Sequence, residues 1–177
     1  MIKQLSSKIV YQNPWMTVVE DQVEFANGHQ GMYGVVKKTD FALVIPFDGE
    51  KLHFVKQYRY PTQQDSIEFP QGKHEDEHET DPLQLAKDEL EEEIGLRANS
   101  IEQIGYLHEA PGYSNQGFYV FFATDLTEVK TKFDATEADL EHLSFTIAEF
   151  EKLILDGTIT DSPTISSYLL FKLQLGK

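Results

Sequence analysis

Hydrophobic and polar positions divide this chain into alternating stretches and stretches of helical period. Residues 9–25 alternate, with Thr17, Val19, Val23 and Phe25 on one side, which predicts extended structure after an early turn at Asn13-Pro14. Asn27-Gly28 is a hairpin signal ahead of a strand over 32–36. The runs 41–47 and 52–58 flank Asp48-Gly49 and predict a second hairpin. Further strands are expected over 101–109, interrupted at Gly105, and over 118–124, with a turn at 110–114 between them. A short helix is predicted over 146–156, ending at Gly157. Asp161 and Pro163 open a last helix, with Ile165, Leu169 and Leu173 on one face. No internal repeat, linker or low-complexity tract interrupts this order, so 1–177 reads as one domain with an N-terminal β subregion over about 1–40.

The best-punctuated element lies over 81–95. Asp81 suits the N-cap, Pro82 the first helical position, Gln84 the far side of a capping box, and Gly95 a left-handed exit. Leu83, Ala86, Leu90 and Ile94 make an apolar stripe. Glu89, Glu92 and Glu93, at i, i+3 and i+4, share a different face. Like charges at that spacing cost roughly 0.2–0.5 kcal/mol per pair. A lone acidic run is ordinarily a solvated surface. Joined to a cap, a glycine turn and an apolar back, these carboxylates suit a hard cation such as Mg²⁺, with substrate phosphates completing its shell.

Charge sharpens that reading. Thirty acidic residues against fifteen Lys and Arg give a net charge of −15. This argues against nucleic acid or an anionic membrane as partner, and makes a polyanionic substrate hard to bind without bridging cations. No stretch approaches the roughly 20 apolar residues of a membrane span, and MIKQLSSKIV lacks the apolar core of a signal peptide. There is no cysteine, so thiol nucleophiles and disulfides are excluded and a cytoplasmic setting is expected. His74 and His78, though four apart, fall in the stretch read as a loop with no cysteine to assist them, so a zinc site is not expected, and Ser114 stands in no nucleophile elbow. Trp15 reads as a packing anchor, with stacking on a nucleobase as the alternative.

The stretch Gln71–Leu96 resembles the Nudix box, G-x5-E-x7-R-E-U-x-E-E-x-G-U, where U is aliphatic. The C-terminal half matches as Glu89-Leu90-Glu91-Glu92-Glu93-Ile94-Gly95-Leu96. The resemblance implies that Glu89, Glu92 and Glu93 bind divalent metal. Two features depart from the box: Asp88 stands at its arginine, and the loop after Gly72 is two residues longer, placing Thr80, beside Glu79, at the first glutamate.

Gln57-Tyr58-Arg59 and Glu68-Phe69-Pro70-Gln71-Gly72 resemble the QYR and E-x-P-x-G segments of the ADP-ribose pyrophosphatase branch, and Pro111 falls 15 residues after Leu96 as in that branch. The resemblance implies an α/β/α sandwich with a mixed sheet, preceded by a small N-terminal antiparallel sheet. It implies substrate contacts by Arg59, Glu68 and Pro111, and metal ligation by Glu89, Glu92, Glu93 and the Gln71 carbonyl. The alternative for Arg59 is a surface ion pair. A catalytic acid is expected after the strand 118–124, with Glu137 first and Asp139 second, and the box glutamates Glu92 and Glu93 as alternatives. The implied activity is Mg²⁺- or Mn²⁺-dependent cleavage of a nucleoside diphosphate linked to another group, ADP-ribose or a nucleotide sugar, in a homodimer. A Nudix-fold module that binds a nucleotide without turning it over is the rival, supported by Asp88.

Overall fold

The computed structural model describes residues 1–73, 81–129 and 140–175. The chain divides into two compact units, Met1–Asp40 with His108–Gly117, and Phe41–Leu107 with Phe118–Lys177.

The first unit is an antiparallel sheet of β1 (Lys3–Asn13), β2 (Met16–Glu24) and β3 (Gln30–Lys37), in that order. Asn13 makes the first turn, its Oδ1 accepting from the N–H groups of Trp15 and Met16 at 2.9 and 2.8 Å. Gly28, at φ 82°, supplies the left-handed residue of the second. Val19 and Val23 are buried, as the alternation requires. Trp15 is not the expected packing anchor. It stands in the turn beyond the last paired residues, Asn13 and Met16, and is 57% exposed. Residues 108–117 are tied to the end of β3 by the Val36 N–H to the Tyr113 carbonyl at 2.8 Å, and by the Gln116 amide to the Thr39 carbonyl at 2.7 Å.

The second unit holds two sheets. One is ordered β7 (Gln71–Gly72), β4 (Phe41–Pro46), β9 (Gly117–Glu128), β8 (Leu96–His108). The other is β10 (Glu141–Thr146), β5 (Lys51–Arg59), β6 (Gln64–Glu68). The first is mixed, since β4 runs parallel to β9 and antiparallel to β7. The predicted hairpin between 41–47 and 52–58 does not form. Apart from the bridge Phe47–Leu52, β4 and β5 pair in different sheets, and Asp48-Gly49 turns the corner between them. The apolar run explains this. Ala42, Leu43, Val44 and Ile45 are all fully buried, so β4 needs cover on both faces, which a central strand beside a parallel neighbour obtains.

That cover comes from helices on either side. Ala42 and Val44 pack with Leu85, Ala86, Leu90 and Ile94 of α1 (Pro82–Ile94). Leu43 and Ile45 pack with Phe150 of α2 (Ile147–Leu155) and with Tyr168 and Phe171 of α3 (Ser162–Leu175). Each fully buried aliphatic side chain contributes about 1.5–3 kcal/mol. Gly105 does not interrupt its strand. A Cβ there would overlap Leu170, so the glycine lets α3 approach β8. The predicted apolar face of α3 is also corrected: Leu169 and Leu173 are about 60% exposed, while Thr164, Ser167, Tyr168 and Phe171 are buried. The aromatic group of Phe54, Phe69 and Phe150 draws in Tyr168, which meets Phe150 edge-on at 4.8 Å, and large rings outweigh leucines in buried area.

Strand β10 covers Glu141–Thr146, where the hydrophobic pattern predicts no strand. It is pinned to β5 by side chains as well as by its ladder, since His53 Nδ1 lies 3.0 Å from His142 Nε2, and His53 Nε2 lies 3.0 Å from Asp48 Oδ2. Burial, then the neighbouring His53 charge, holds the His142 pKa below its ordinary value against an opposing pull from Glu128. The unfolded chain therefore takes up a proton near pH 6.5 that folded His142 refuses, and stability should fall as pH drops below about 6.5. Asp48 shifts the other way. Burial would raise its pKa, but hydrogen bonds from the Lys51 and Glu50 backbone and from His53 bring it below the ordinary value, so its contribution is lost only in more acid solution. Thermal melts between pH 7.5 and 5 should thus show a falling Tm for the wild type and a flatter profile for His142→Gln. Parallel profiles would assign the dependence elsewhere.

Candidate active site

Helix α1 builds the centre. Asp81 accepts from the Leu83 N–H at 3.2 Å, Pro82 opens the first turn, and Gly95 closes the helix at φ 65° and ψ 33°. Gln84 does not complete the expected box. Its side-chain amide donates instead to Asp88 at 2.9 Å, so the residue at the box arginine has a neighbour one turn back on its own helix.

The acidic face is not separate from the packed face. Glu89 and Glu93 are 8% and 6% exposed, buried beside Leu85, Ala86, Leu90 and Ile94. At about 100° per residue, Glu89 and Glu93 fall between Leu85 and Ala86 on the helical wheel, with Glu92 just outside Leu85. The expected stripe omitted Leu85, and with it the wheel position that closes the acids inside. Half-buried Glu92 lies at the margin.

Two residues of β7 receive these acids. The Gln71 N–H donates to Glu93 Oε2 at 2.9 Å. The Glu89 carboxylate lies so close to Gly72 that a Cβ there would fall well inside contact distance of both its oxygens. Gly72 is therefore needed for room rather than for an unusual backbone angle. Pairing of Leu43 with Gln71 and Ala42 with Gly72 fixes this short strand against β4.

Arg59, at the end of β5, meets Glu68, at the end of β6, in a two-pronged pair. Nε donates to Oε1 at 2.9 Å and Nη2 to Oε2 at 2.5 Å. Glu68 is 2% exposed on its side chain and Arg59 39%. Burial alone would raise the Glu68 pKa, but the hydrogen bond and charge of Arg59, with hydrogen bonds from Ser66 and Gln71, bring it below the ordinary value. The same hydrogen bond raises the Arg59 pKa further. Two of five guanidinium N–H groups are engaged there, leaving a partly exposed cation.

The sequence reading missed the other half of this cluster. The Gln71 amide nitrogen donates to Glu68 Oε2 at 2.7 Å and reaches Asp161 Oδ2 at 3.4 Å. Asp161 also accepts from the Thr164 N–H at 2.8 Å, and the fully buried Thr164 hydroxyl receives the Phe69 N–H at 2.9 Å. Burial, with the charge of Glu68, raises the Asp161 pKa against the bonds from Thr164. Asp161 was legible as a helix start, but a partner 90 residues away leaves no local signal.

Of the residues expected to act, the second unit brings together Arg59, Glu68, Gln71, Glu89 and Glu93 through these contacts, with Glu92 on the same helix. Pro111 lies exposed in the turn 110–114 of the first unit. Glu137 and Asp139 lie outside the described residues.

The donor set fits a hard divalent cation. It offers charged carboxylate oxygens on a rigid helix and a backbone turn held against them, with buried carboxylates whose desolvation a cation would offset. Among the described residues, no three Asp, Glu or His side chains form a ready-made cage. Mg²⁺ binds commonly through one or two carboxylates, keeping water and substrate phosphates for the rest of its shell.

Comparison with known proteins agrees with this architecture. Residues 2–36 match the nucleoside diphosphate sugar hydrolase N-terminal domain, and residues 37–167 match the NUDIX domain. The chain is 28% identical over 175 residues to an ADP-ribose pyrophosphatase of Bacillus subtilis (strain 168), covering 98% of this chain and 92% of that one. It is 29% identical over 167 residues to an ADP-ribose pyrophosphatase of Mycobacterium tuberculosis, covering 93% and 80%. A crystal structure of an ADP compounds hydrolase superposes with a TM-score of 0.88 at 21% identity, covering 99% of this chain and 94% of that one, a likeness of fold.

Proposed function

The chain belongs to the Nudix family, and from that premise we propose that it hydrolyses the pyrophosphate of a nucleoside diphosphate joined to another group, ADP-ribose or a nucleotide sugar. The observation that carries this reading is the family match together with the box glutamates Glu89, Glu92 and Glu93, of which Glu89 and Glu93 meet Gln71-Gly72. As a Nudix pyrophosphohydrolase it works with a divalent metal, for which we propose Mg²⁺, with Mn²⁺ as substitute.

Glu89, Glu92, Glu93 and the Gln71 carbonyl would hold the cation. When bound, it polarises the phosphoryl oxygens and lowers the pKa of the attacking water. The chain's own groups do the rest. Arg59 turns its free N–H groups to phosphate, where a guanidinium can donate two parallel bonds. Glu68 holds Arg59 in place, and Glu137, Asp139 or a box glutamate takes the proton from water. Cleavage of ADP-ribose would yield AMP and ribose 5-phosphate.

We further propose a cytoplasmic homodimer. No helix among the described residues is long and apolar enough to cross a membrane. The first unit exposes Ile9 on one face of its sheet, Tyr11 and Met32 on the other, and Trp15 at the turn, apolar side chains that a second copy would cover. Pro111 would contact substrate.

A steady-state panel of ADP-ribose and nucleotide sugars, with Mg²⁺ and with chelator, tests the substrate class. Metal-dependent turnover of at least one compound supports it. Saturable binding of a nucleotide without turnover of any would favour the binding module that Asp88 suggests.

Arg59→Ala should act on both stability and binding. It strands a Glu68 carboxylate that is 2% exposed, lowering stability by less than the roughly 3–5 kcal/mol of a fully buried pair, because solvent screens Arg59. It should also raise KM about tenfold or more, since a charge-assisted contact contributes about 1.5–3 kcal/mol. A lowered Tm with unchanged KM would make Arg59 structural only.

A further inference from the structure

Four connections converge on the five residues from Glu68 to Gly72. Arg59 grips Glu68 from β5, Glu93 takes the Gln71 N–H from α1, and Glu89 closes over Gly72. The fourth comes from the start of α3, which lies outside the box and outside the Gln57-Tyr58-Arg59 and Glu68–Gly72 segments. Here Thr164 takes the Phe69 N–H and Asp161 faces the Gln71 amide.

The Gln71 side chain is the unusual member. It is 9% exposed, and its Oε1 is buried with no hydrogen-bond partner among the described residues. Its nitrogen carries two hydrogens and faces two carboxylates, Glu68 Oε2 at 2.7 Å and Asp161 Oδ2 at 3.4 Å. Turning the amide over would set its oxygen against both acids. The orientation is therefore fixed by charge, and bonds to charged acceptors outweigh the acceptor left unmet. The result is a buried amide clamped between β6 and α3, on the same residue whose backbone N–H meets Glu93.

We infer that Asp161 and the side chain of Gln71 are positioning residues for the hydrolytic site. They tie the start of α3 to the 68–72 turn and so hold the Gln71 backbone in register with Glu89 and Glu93. Neither side chain touches the reacting atoms. The inference rests on the proposed function for its activity arm but not for its metal arm. Without this clamp the β4 ladder, Glu93 and the Thr164 bond still hold the segment, but its tie to α3 at Gln71 itself is gone, and misplacement by about 1 Å can cost a hundredfold in rate.

The experiment compares wild type with Gln71→Ala, Asp161→Ala and Asp161→Asn. Gln71→Ala keeps the backbone and removes the clamp. Asp161→Asn keeps an oxygen for the Thr164 N–H and for the Gln71 amide. Calorimetric Mn²⁺ titration should show affinity reduced at least fivefold in both alanine variants and largely restored in Asp161→Asn. With the substrate found by the panel, kcat should fall tenfold or more in the alanine variants while KM stays within about twofold. Circular dichroism should confirm that each variant is folded. Unchanged Mn²⁺ affinity in folded Gln71→Ala and Asp161→Ala would overturn the inference. So would equal losses in Asp161→Ala and Asp161→Asn. If no substrate turns over, the proposed function fails, and the Mn²⁺ titrations still decide the positioning role.

Discussion

Replacing Glu93 with glutamine is expected to lower kcat at least a hundredfold, about 2.7 kcal/mol in the barrier, and to weaken Mg²⁺ binding sharply. Glu93 has two tasks that this substitution separates. Its Oε2 receives the Gln71 N–H at 2.9 Å, and an amide oxygen can still accept that bond. What glutamine lacks is the charge. Removing a buried negative charge from a face shared with Glu89 also relieves repulsion, so the Tm without metal should hold or rise slightly. The variant should gain less Tm on addition of Mg²⁺ than wild type, because ligand stabilisation follows affinity for the native state. A calorimetric titration with unchanged affinity would remove Glu93 from the metal site.

Gly72→Ala should lower kcat/KM about thirtyfold, ~2 kcal/mol, with little change in Tm. The added methyl would land on both oxygens of the Glu89 carboxylate. Backbone conformation is no obstacle, since Gly72 is not among the residues of positive φ. Glu89 must move instead. It is the end of a flexible side chain, so the fold should survive, but the buried carboxylate would leave the place where it faces the turn. The measurement is kinetic, paired with a melt. A large fall in Tm with full activity in the folded fraction would show that Gly72 serves packing alone.

The α1 helix was readable in detail because its signals are local. Asp81 caps it, Pro82 starts it and Gly95 ends it within one turn of the residues they serve. The box glutamates were found because resemblance to a family, rather than periodicity, singled them out. Periodicity misplaced them. Once Leu85 joins Ala86 and Leu90 on the buried side, the wheel puts Glu89 and Glu93 among the core residues.

Tertiary choices account for the rest. Asp48-Gly49 is a sound turn, but the fully apolar β4 finds its partners in β7 and β9 rather than across that turn. Leu169 and Leu173 keep helical spacing with Ile165, yet Tyr168 and Phe171 win the buried side of α3 because the aromatic core lies there. The links Arg59–Glu68 and Gln71–Asp161 span 9 and 90 residues. The first joins two adjacent strands across their connecting loop and was half visible as two motifs. The second had no sequence signal at all.

The central claim is that the acidic face of α1, set against the 68–72 turn, serves metal-dependent cleavage of a pyrophosphate. Phosphorus NMR of ADP-ribose incubated with the protein tests it most directly. The account predicts that with Mg²⁺ the paired pyrophosphate resonances are replaced by two monophosphate signals, those of AMP and ribose 5-phosphate. Conversion should stop on chelation and be at least a hundredfold slower with Glu93→Gln. Pyrophosphate signals that persist in the presence of Mg²⁺, for ADP-ribose and for the nucleotide sugars alike, would contradict it.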